Sequence, residues 1–448
     1  MNKLSHVLPR FAKIFVTALV VCSSQGFAQN TLPSVPISDS DFLPVNEQQA
    51  KLGQQLFYDK LLSGNRNIAC GTCHHHDHGT SDGLSLGIGE GGMGLGPERI
   101  ADSKLKHRVP RHAPALFNLG AKEFSVLFHD GRLTIDHHDP TGFNSPAEEF
   151  LPGGLADLVA AQALFPLTSA VEMAGDLHEN QVSGAVRRRM DYAWTIIVER
   201  IRHTPGYLPL FQQAFTDVQR TSDIEIHHVV NAISAFERFE WRADNSPFDQ
   251  YLAGNSHAMT SEQKAGMELF YQPGSCGECH QGTLQTDHGF HSIGLPQFGP
   301  GRTRRFDNKN RDMGRINETD RAEDVYRFRT PSLRNVTATA PYGHNGAYQS
   351  LEAMVRHHLE PQKYFNQYDF TQAVLPSVPY LDEVDFLIGH DPVEKAVLLR
   401  SIDVDLPEFS DLQVAQLLAF LSALTDETSL KGRLGIPESV PSGLPVDR

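Results

Sequence analysis

The chain has 448 residues, a formal net charge of −15 and five cysteines. This acidic balance argues against nucleic acid as a partner, because phosphate backbones are bound by clusters of cations. The length is sufficient for two or more domains with real cores, and 36 glycines and 27 prolines indicate long loops.

The N-terminus has the pattern of a secretion signal. Three cations precede an apolar run over residues 14–22, which is too short to span a bilayer, and a small-x-small cleavage site follows at 26–28. Residues 1–28 are therefore predicted to be a signal peptide whose removal takes Cys22 with it. No later segment is long and apolar enough to cross a membrane, so we expect a periplasmic protein without a membrane span.

A predicted amphipathic helix over residues 51–58, which Asn46 can cap, leads into the pentapeptide Cys70-Gly-Thr-Cys73-His74. Two thiols one helical turn apart can form thioether bonds with the two vinyl groups of one haem. The adjacent imidazole then reaches the haem iron. A single motif of this kind is also compatible with a zinc or redox site.

Further along the chain, apolar periodicity predicts helices, and composition predicts long loops. The segments 82–108 and 281–325 are rich in Gly, Arg and Asp and are long enough to wrap haem edges. The predicted helices lie at 154–164, 185–202, 224–238 and 412–424.

The second motif, Cys276-Gly-Glu-Cys279-His280, follows a helix that repeats the first one. Residues 51–58 and 264–271 share the pattern K-x-G-x-x-L-F-Y, and Thr260 or Ser261 can cap the second helix. A zinc ion would need thiols from both motifs, which are far apart in sequence, and would leave the two histidines unexplained. We therefore predict two covalently bound c-type haems.

This internal repeat predicts an all-α fold of two tandem cytochrome c-like haem domains with long loops. The N-terminal domain is predicted to cover residues 29–245 and the C-terminal domain residues 246–448. The four cysteines that remain after signal cleavage all attach haem in this interpretation, so no structural disulfide is expected.

A further set of motifs resembles the bacterial dihaem cytochrome c peroxidases and their relative MauG over nearly all of the mature chain. Within that family, the chain looks most similar to the MauG-like branch, particularly the MbnH-type enzymes that oxidise a tryptophan on a partner protein. The motifs are LLSG at 61–64, PRHAP at 110–114, FHDGR at 128–132, VEM at 171–173, AISAFER at 232–238, SPFD at 246–249, FRTPSLRN at 328–335 and PYGHNG at 341–346.

The resemblance makes the sixth coordination position of the first haem informative. Resting peroxidases close that iron with a His in the context Ser-Ile-Gly-His-Gly, whereas residues 85–89 here read Ser-Leu-Gly-Ile-Gly, with Ile88 in place of the His. Isoleucine cannot ligate iron, so we predict that the iron held by His74 is five-coordinate and open to hydrogen peroxide. Weaker candidates for a substitute ligand are His75, His76, His78 and Met93.

The resemblance also implies the residues of the peroxide pocket. Glu172 is the expected acid/base catalyst, Gln162 would orient the bound oxygen species, and Pro166 would shape the pocket. His344 matches a His important to activity in the family, and Arg329 is placed to pair with a haem propionate.

For the second haem, the register of the family places the sixth ligand fourteen residues beyond His344, at His358. The peroxidases have Met there and MauG has Tyr, so we expect a bis-His haem formed by His280 and His358, with Met354 as the alternative ligand. Methionine ligation raises a haem potential, so a bis-His second haem should be lower in potential and suited to storing an oxidising equivalent.

Two further departures from the family concern His129 and His112. His129 replaces the Trp that usually lies between the haems, where a His can pack, hydrogen-bond a propionate or carry a proton. His112 matches the Asn that ligates calcium in several members, and imidazole is a poor ligand for that cation. The backbone carbonyls of Thr339 and Pro341 keep calcium as an open alternative.

Three functions follow from these expectations. The first is a MauG-like or MbnH-like enzyme that uses hydrogen peroxide to form a high-valent dihaem state and oxidises a side chain of a periplasmic protein. The second is a conventional peroxidase that takes electrons from a small cytochrome or cupredoxin. The third is a non-enzymatic electron carrier, which would normally keep both irons six-coordinate.

Overall fold

The computed structural model describes residues 32–33, 35–102, 105–303 and 309–448, so the predicted signal peptide lies outside the described residues. The described part is mostly helical, which confirms the predicted all-α class. None of its helices is long and apolar enough to span a bilayer. The helices are α1 (Glu47–Tyr58), α2 (Cys70–Cys73), α3 (Leu158–Ala163), α4 (Gln181–Val186), α5 (Met190–Arg202), α6 (Tyr207–Ala214), α7 (Ile226–Glu240), α8 (Pro247–Leu252), α9 (Ser261–Phe270), α10 (Ile316–Thr319), α11 (Leu351–Leu359), α12 (Pro361–Asn366), α13 (Pro379–Asp382), α14 (Leu387–His390), α15 (Pro392–Ser401), α16 (Asp411–Ser422) and α17 (Glu427–Lys431).

Short antiparallel strand pairs tie the loops together. One pair lies in the predicted loop 82–108, a three-stranded ribbon follows the first haem motif, and a third pair joins two loops of the second half. The strands are β1 (Gly92–Met93), β2 (Ile100–Ala101), β3 (Val126–Leu127), β4 (Leu133–Ile135), β5 (Phe143–Asn144), β6 (Phe290–His291) and β7 (Phe328–Arg329).

The predicted helix over 185–202 is two helices in the structure. The chain is extended at Arg189, between α4 and α5, and the Arg189 guanidinium pairs with Asp191, with Nε 2.9 Å from the carboxylate. The helix expected over 154–164 begins only at Leu158, because the Asp157 carboxylate accepts a hydrogen bond from the Ala160 N–H and so caps the first turn. The later start at Leu158 comes from local capping that the apolar pattern does not show, whereas the Arg189 side chain makes no capping hydrogen bond.

The repeated helices α1 and α9 each cross a partner helix at the glycine of their shared pattern. Asn46 and Thr260 cap them, as predicted. A Cβ atom placed on Gly53 would lie 1.8 Å from the Ala232 carbonyl oxygen of α7, and one on Gly266 would lie 1.8 Å from the Gln416 carbonyl oxygen of α16. The glycine therefore lets two backbones approach closely in each half.

We expect Gly53→Ala to lower the free energy of unfolding by about 1–3 kcal/mol or more, because the added methyl overlaps backbone that cannot rotate away. Gly184→Ala is the matched control, since Gly184 lies within α4 and has no atom within 4 Å of its Cβ position. The control should be neutral or stabilising, because alanine favours helix. Denaturant unfolding measures both changes, and equal stabilities would contradict the close crossing.

The two halves have separate apolar cores, and the end of the chain returns to the first. The first core gathers side chains of α1, α3, α5, α6 and α7, and the second gathers those of α9 and α16. Val440 is buried in the first core, and Asp447 pairs with Lys60 at 2.5 Å. The C-terminal segment that contains Val440 and Asp447 therefore packs with the opposite half. The domain boundary at residues 245 and 246 stays a prediction.

Candidate haem sites

The first motif forms the short helix α2, which orients its histidine for a metal. The Nδ1 atom of His74 lies 2.8 Å from the Thr80 carbonyl oxygen. A carbonyl only accepts hydrogen bonds, so Nδ1 carries the ring proton and Nε2 keeps a lone pair. Burial lowers the pKa of His74, which favours the neutral ring that iron requires.

The second motif repeats this arrangement on a single 3₁₀ turn, Cys276–Glu278. His280 donates from Nδ1 to the Gln285 carbonyl oxygen at 2.9 Å, and burial lowers its pKa to about 4. Across the described ranges, no cluster of potential metal ligands combines cysteines of both motifs, as the zinc alternative requires. The residues therefore fit two separate haems.

His358 lies on α11 with the same hydrogen-bond geometry as the two motif histidines. Its Nδ1 donates to the Met354 carbonyl oxygen at 2.9 Å, so Nε2 is free for iron. Burial is the main cause of the lowered pKa of His280, and a charge on His358 also lowers it. The two rings therefore lie near each other. The Met354 side chain packs against the apolar clusters of the second half, which favours His358 as the ligand.

Glu172 lies near the first motif, on a wide π turn at Ala170–Ala174. Such turns are rare and often occur at functional sites. Burial is the main reason that the pKa of Cys73 is raised to about 12, and the charge of Glu172 contributes to that shift. Burial also raises the pKa of Glu172, while Arg132 and a hydrogen bond with Ser169 oppose the shift. A carboxyl group whose pKa is raised in this way is suited to accept and return a proton.

The loop that carries a sixth ligand in resting peroxidases packs directly against the Glu172 turn. A Cβ atom on Gly89 would lie 2.5 Å from the Glu172 carbonyl oxygen, and the Glu90 N–H donates to the Val171 carbonyl oxygen at 3.2 Å. Ile88 is fully buried in an apolar cluster that contains Leu84. An aliphatic side chain therefore occupies the position expected of the ligand.

Gln162 and Pro166 lie on the chain segment that leads into the Glu172 turn. Gln162 is half-buried in the last turn of α3, and its side-chain amide makes no hydrogen bond within the described part of the chain. Pro166 begins the 3₁₀ turn Pro166–Thr168, which adjoins the π turn. The turn that begins at Pro166 therefore contacts the Glu172 turn, and the role of Gln162 stays a prediction.

Arg132 is a site residue that no sequence pattern identifies. Its guanidinium lies over the Phe128 ring at 3.5 Å, and its charge acts on Glu172. The residue belongs to the FHDGR motif at 128–132, but nothing in that motif shows which group it faces. A cation beside the carboxyl group favours negative charge that develops as a peroxide bond breaks.

His129, Arg329 and His344 meet where the two halves join. The Arg329 N–H donates to the His129 carbonyl oxygen at 2.8 Å, and the His344 ring stacks on Phe328 at 3.5 Å. Arg329 forms no ion pair with any described residue, and burial lowers its pKa to about 10. The guanidinium donates to the carbonyl oxygens of Phe128 and Thr330 but has no carboxylate partner among the described residues, so it fits an anionic group such as a haem propionate.

His112 has no ring nitrogen left for a cation. Its Nδ1 donates to the Leu84 carbonyl oxygen at 2.8 Å, and its Nε2 lies 3.2 Å from the Ser81 hydroxyl, from which it accepts. Only the backbone carbonyls of Thr339 and Pro341 stay available for calcium, and such a site stays a prediction.

Two helical halves, each with a Cys-x-x-Cys-His turn, and a half-buried carboxyl group near the first turn define a dihaem cytochrome of the peroxidase type. A family model described as di-haem cytochrome c peroxidase matches residues 47–257. The chain is similar to this family over these residues, and its named relatives support a peroxidase-type oxidoreductase with two haem cofactors.

Named relatives include both branches of the family. The chain is 29% identical over 320 residues to methylamine utilization protein MauG of Methylorubrum extorquens, covering 71% of this chain and 70% of that protein. It is 28% identical over 312 residues to cytochrome c551 peroxidase of Pseudomonas aeruginosa, covering 70% and 72%.

Solved structures agree with the fold. A MauG-like protein associated with microbial copper homeostasis superposes with a TM-score of 0.57 at 25% identity, covering 91% of this chain and 96% of that protein. The diheme peroxidase BthA from Burkholderia thailandensis gives a TM-score of 0.56 at 19% identity, covering 90% and 91%.

Proposed function

We propose that the chain is a MauG-like enzyme of the periplasm that uses hydrogen peroxide to oxidise a side chain of a partner protein. The observation that carries this proposal is the buried Ile88 beside the Glu172 turn, where a conventional resting peroxidase has a histidine ligand. An iron without that ligand is accessible to peroxide before any electron donor has acted.

The residues divide into two unequal haem sites in this proposal. Cys70, Cys73 and His74 hold the first haem through two thioether bonds and one imidazole, and the first haem, when bound, supplies the iron at which peroxide is cleaved. The second haem is held by Cys276, Cys279, His280 and His358. Its lower potential suits it to share the oxidising equivalents rather than to relay electrons from a high-potential donor.

Glu172 and Arg132 perform the proton and charge chemistry of the first site. The Glu172 carboxylate takes the proton of one peroxide oxygen and returns it to the other as that oxygen leaves. Arg132 favours the negative charge that develops on the leaving oxygen. Gln162 orients the peroxide, Pro166 shapes the pocket, Arg329 pairs with a propionate, and His129 and His344 fill the junction between the two halves.

The conventional peroxidase stays the second candidate, because a relative of that kind matches the chain over a similar length. The two functions differ in what peroxide does to the fully oxidised protein. A conventional enzyme is inactive until its second haem is reduced, whereas a MauG-like enzyme reacts at once.

We expect the ferric protein to show one high-spin and one low-spin haem by EPR, and we expect peroxide to change its absorption spectrum without added reductant. Ile88→His should turn the high-spin signal low-spin and suppress the peroxide reaction, and Ile88→Val should leave both unchanged. Two low-spin haems in the natural protein would contradict an open first iron and with it the proposed function. Inactivity until half-reduction would instead support the conventional peroxidase.

A further inference from the structure

A cluster of arginines lies around α4, in a chain whose formal net charge is −15. Residues 181–203, which contain α4 and α5, have five arginines but only two acidic residues. Asp191 pairs with Arg189, and Glu199 pairs with Arg202 at 2.5 Å. The other three arginines of this segment form no ion pair with any residue that the structure describes. Their charge is therefore available to a partner.

These arginines lie at the two ends of α4. Arg187 and Arg188 follow its last residue and are exposed. Arg200 lines the same cavity as Gln181, the first residue of α4, and so lies near the other end. Arg66 lines this cavity too and is also exposed. Because α4 has six residues, the two ends are about 9 Å apart. We call Arg66, Arg187, Arg188 and Arg200 the α4 arginines.

Arg200 has hydrogen-bond partners but keeps its charge. Its guanidinium donates to backbone carbonyl oxygens, including those of Ser63 and Gly64 at 2.6 and 3.1 Å. Carbonyl oxygens carry no net charge, so they do not neutralise the guanidinium. Burial lowers the pKa of Arg200, and the charge of Arg66 lowers it further. An anion placed between these two cations would relieve their mutual repulsion.

An apolar cavity of about 250 Å³ lies between α4 and the turn that carries Glu172, and Arg187 borders it. Its apolar lining comes from both elements and consists of Ala170, Ala174, Leu177 and Val186. Leu177 is 39% exposed, so the cavity opens beside an apolar surface. Cavities of this kind hold the large apolar side chains that anchor protein complexes. A segment bound there would lie against the Glu172 turn.

We propose that the α4 arginines and this cavity form the docking surface for the protein that is oxidised, and that its docked segment is acidic and carries a large apolar side chain. The apolar side chain enters the cavity, and the carboxylates pair with the α4 arginines. The rest of the chain is acidic and repels such a partner, so attraction is confined to the side on which the Glu172 turn lies. This inference rests on the proposed function, because it assigns the surface to the protein whose side chain is oxidised.

The test measures peptide binding to the ferric holoprotein without peroxide, by fluorescence anisotropy at low ionic strength. The probe is a labelled synthetic peptide of Asp and Glu with one central Trp. One reference peptide has Asn and Gln in place of the acidic residues, and another has Ala in place of the Trp. We expect the acidic Trp peptide to bind most tightly. Arg187→Gln combined with Arg188→Gln should weaken its binding by on the order of 10-fold, and added salt should reduce this difference.

The matched control is Arg321→Gln combined with Arg400→Gln. Both arginines are exposed and lie in the second half, so the control removes the same charge away from α4. It should bind the peptide as the natural protein does. Leu177→Ser tests the cavity and should weaken binding of the Trp peptide more than that of the Ala peptide. Haem content and thermal unfolding of each variant confirm folding.

Equal weakening in the two double variants, or equal binding of the Asn and Gln peptide, would overturn the docking surface. Vesicles of equal parts phosphatidylglycerol and phosphatidylcholine provide a second arm. If they bind through Arg187 and Arg188 while the acidic peptide does not, the arginines face a membrane and the inference is wrong. Because no peroxide is present, these negative results leave the proposed function standing. A ferric protein that is inert to peroxide would instead overturn that function, and with it the assignment of this surface to an oxidised partner.

Discussion

Replacing Glu172 by Gln is expected to slow the reaction of hydrogen peroxide with the fully oxidised protein by about 100-fold or more. The substitution keeps the size of the side chain and its hydrogen bond with Ser169, but it removes the group that accepts and returns a proton. Stopped-flow absorption in the absence of reductant measures the rate directly. Because burial raises the pKa of Glu172, the natural protein should also lose rate as the pH falls through a value above the ordinary carboxyl range.

The sign of that pH dependence follows from the role of the carboxyl group. The ionised form takes the peroxide proton, so the rate is fully present above the raised pKa and falls below it. The acid limb should vanish in Glu172→Gln. Glu179→Gln is the control, because Glu179 is an exposed carboxylate nearby in sequence that bonds Asn65. An unchanged rate in Glu172→Gln, or an equal loss in the control, would remove Glu172 from the mechanism.

Features encoded by short stretches of sequence were predicted well. The cap at Asn46 and the cap at Thr260 are present because each side chain reaches an N–H group two or three residues away. The shared glycine of the repeated helices was visible as a pattern, but its reason was not. Only the structure shows that Gly53 and Gly266 each meet a carbonyl oxygen of another helix.

Features that depend on residues far apart in sequence were not predictable. The C-terminal segment brings Val440 into the core of the first half. A domain boundary predicted from an internal repeat cannot show that the end of one half packs against the other. A chain of hydrogen bonds joins Tyr58, His76 and Glu240 from three segments, and the Glu240 carboxylate also accepts a backbone N–H from residue 434. Strands of two or three residues carry too little periodicity to be predicted at all.

The histidines of the two haem motifs make the same kind of hydrogen bond, but the other residues near the two motifs differ. His74 and His280 both donate Nδ1 to a carbonyl a few residues ahead, so the repeat preserves the ligand geometry. The neighbouring residues come from different parts of the chain, with Glu172 near the first motif and His358 near the second.

Replacing His358 by Ala is expected to convert the second ferric haem from low-spin to high-spin, because it removes the only imidazole placed opposite His280 by the family register. Met354→Leu should leave that haem low-spin, because the Met354 side chain packs in apolar clusters. The substitution also keeps the backbone carbonyl oxygen of residue 354, which accepts the hydrogen bond from Nδ1 of His358. EPR of the ferric proteins distinguishes these outcomes, and loss of the low-spin signal in Met354→Leu alone would make Met354 the ligand.

His358→Met should raise the reduction potential of the second haem, by on the order of 0.1 V within the roughly 0.8 V range that axial ligands set. A potential that does not rise would remove the reason for treating this haem as the lower-potential store of oxidising equivalents.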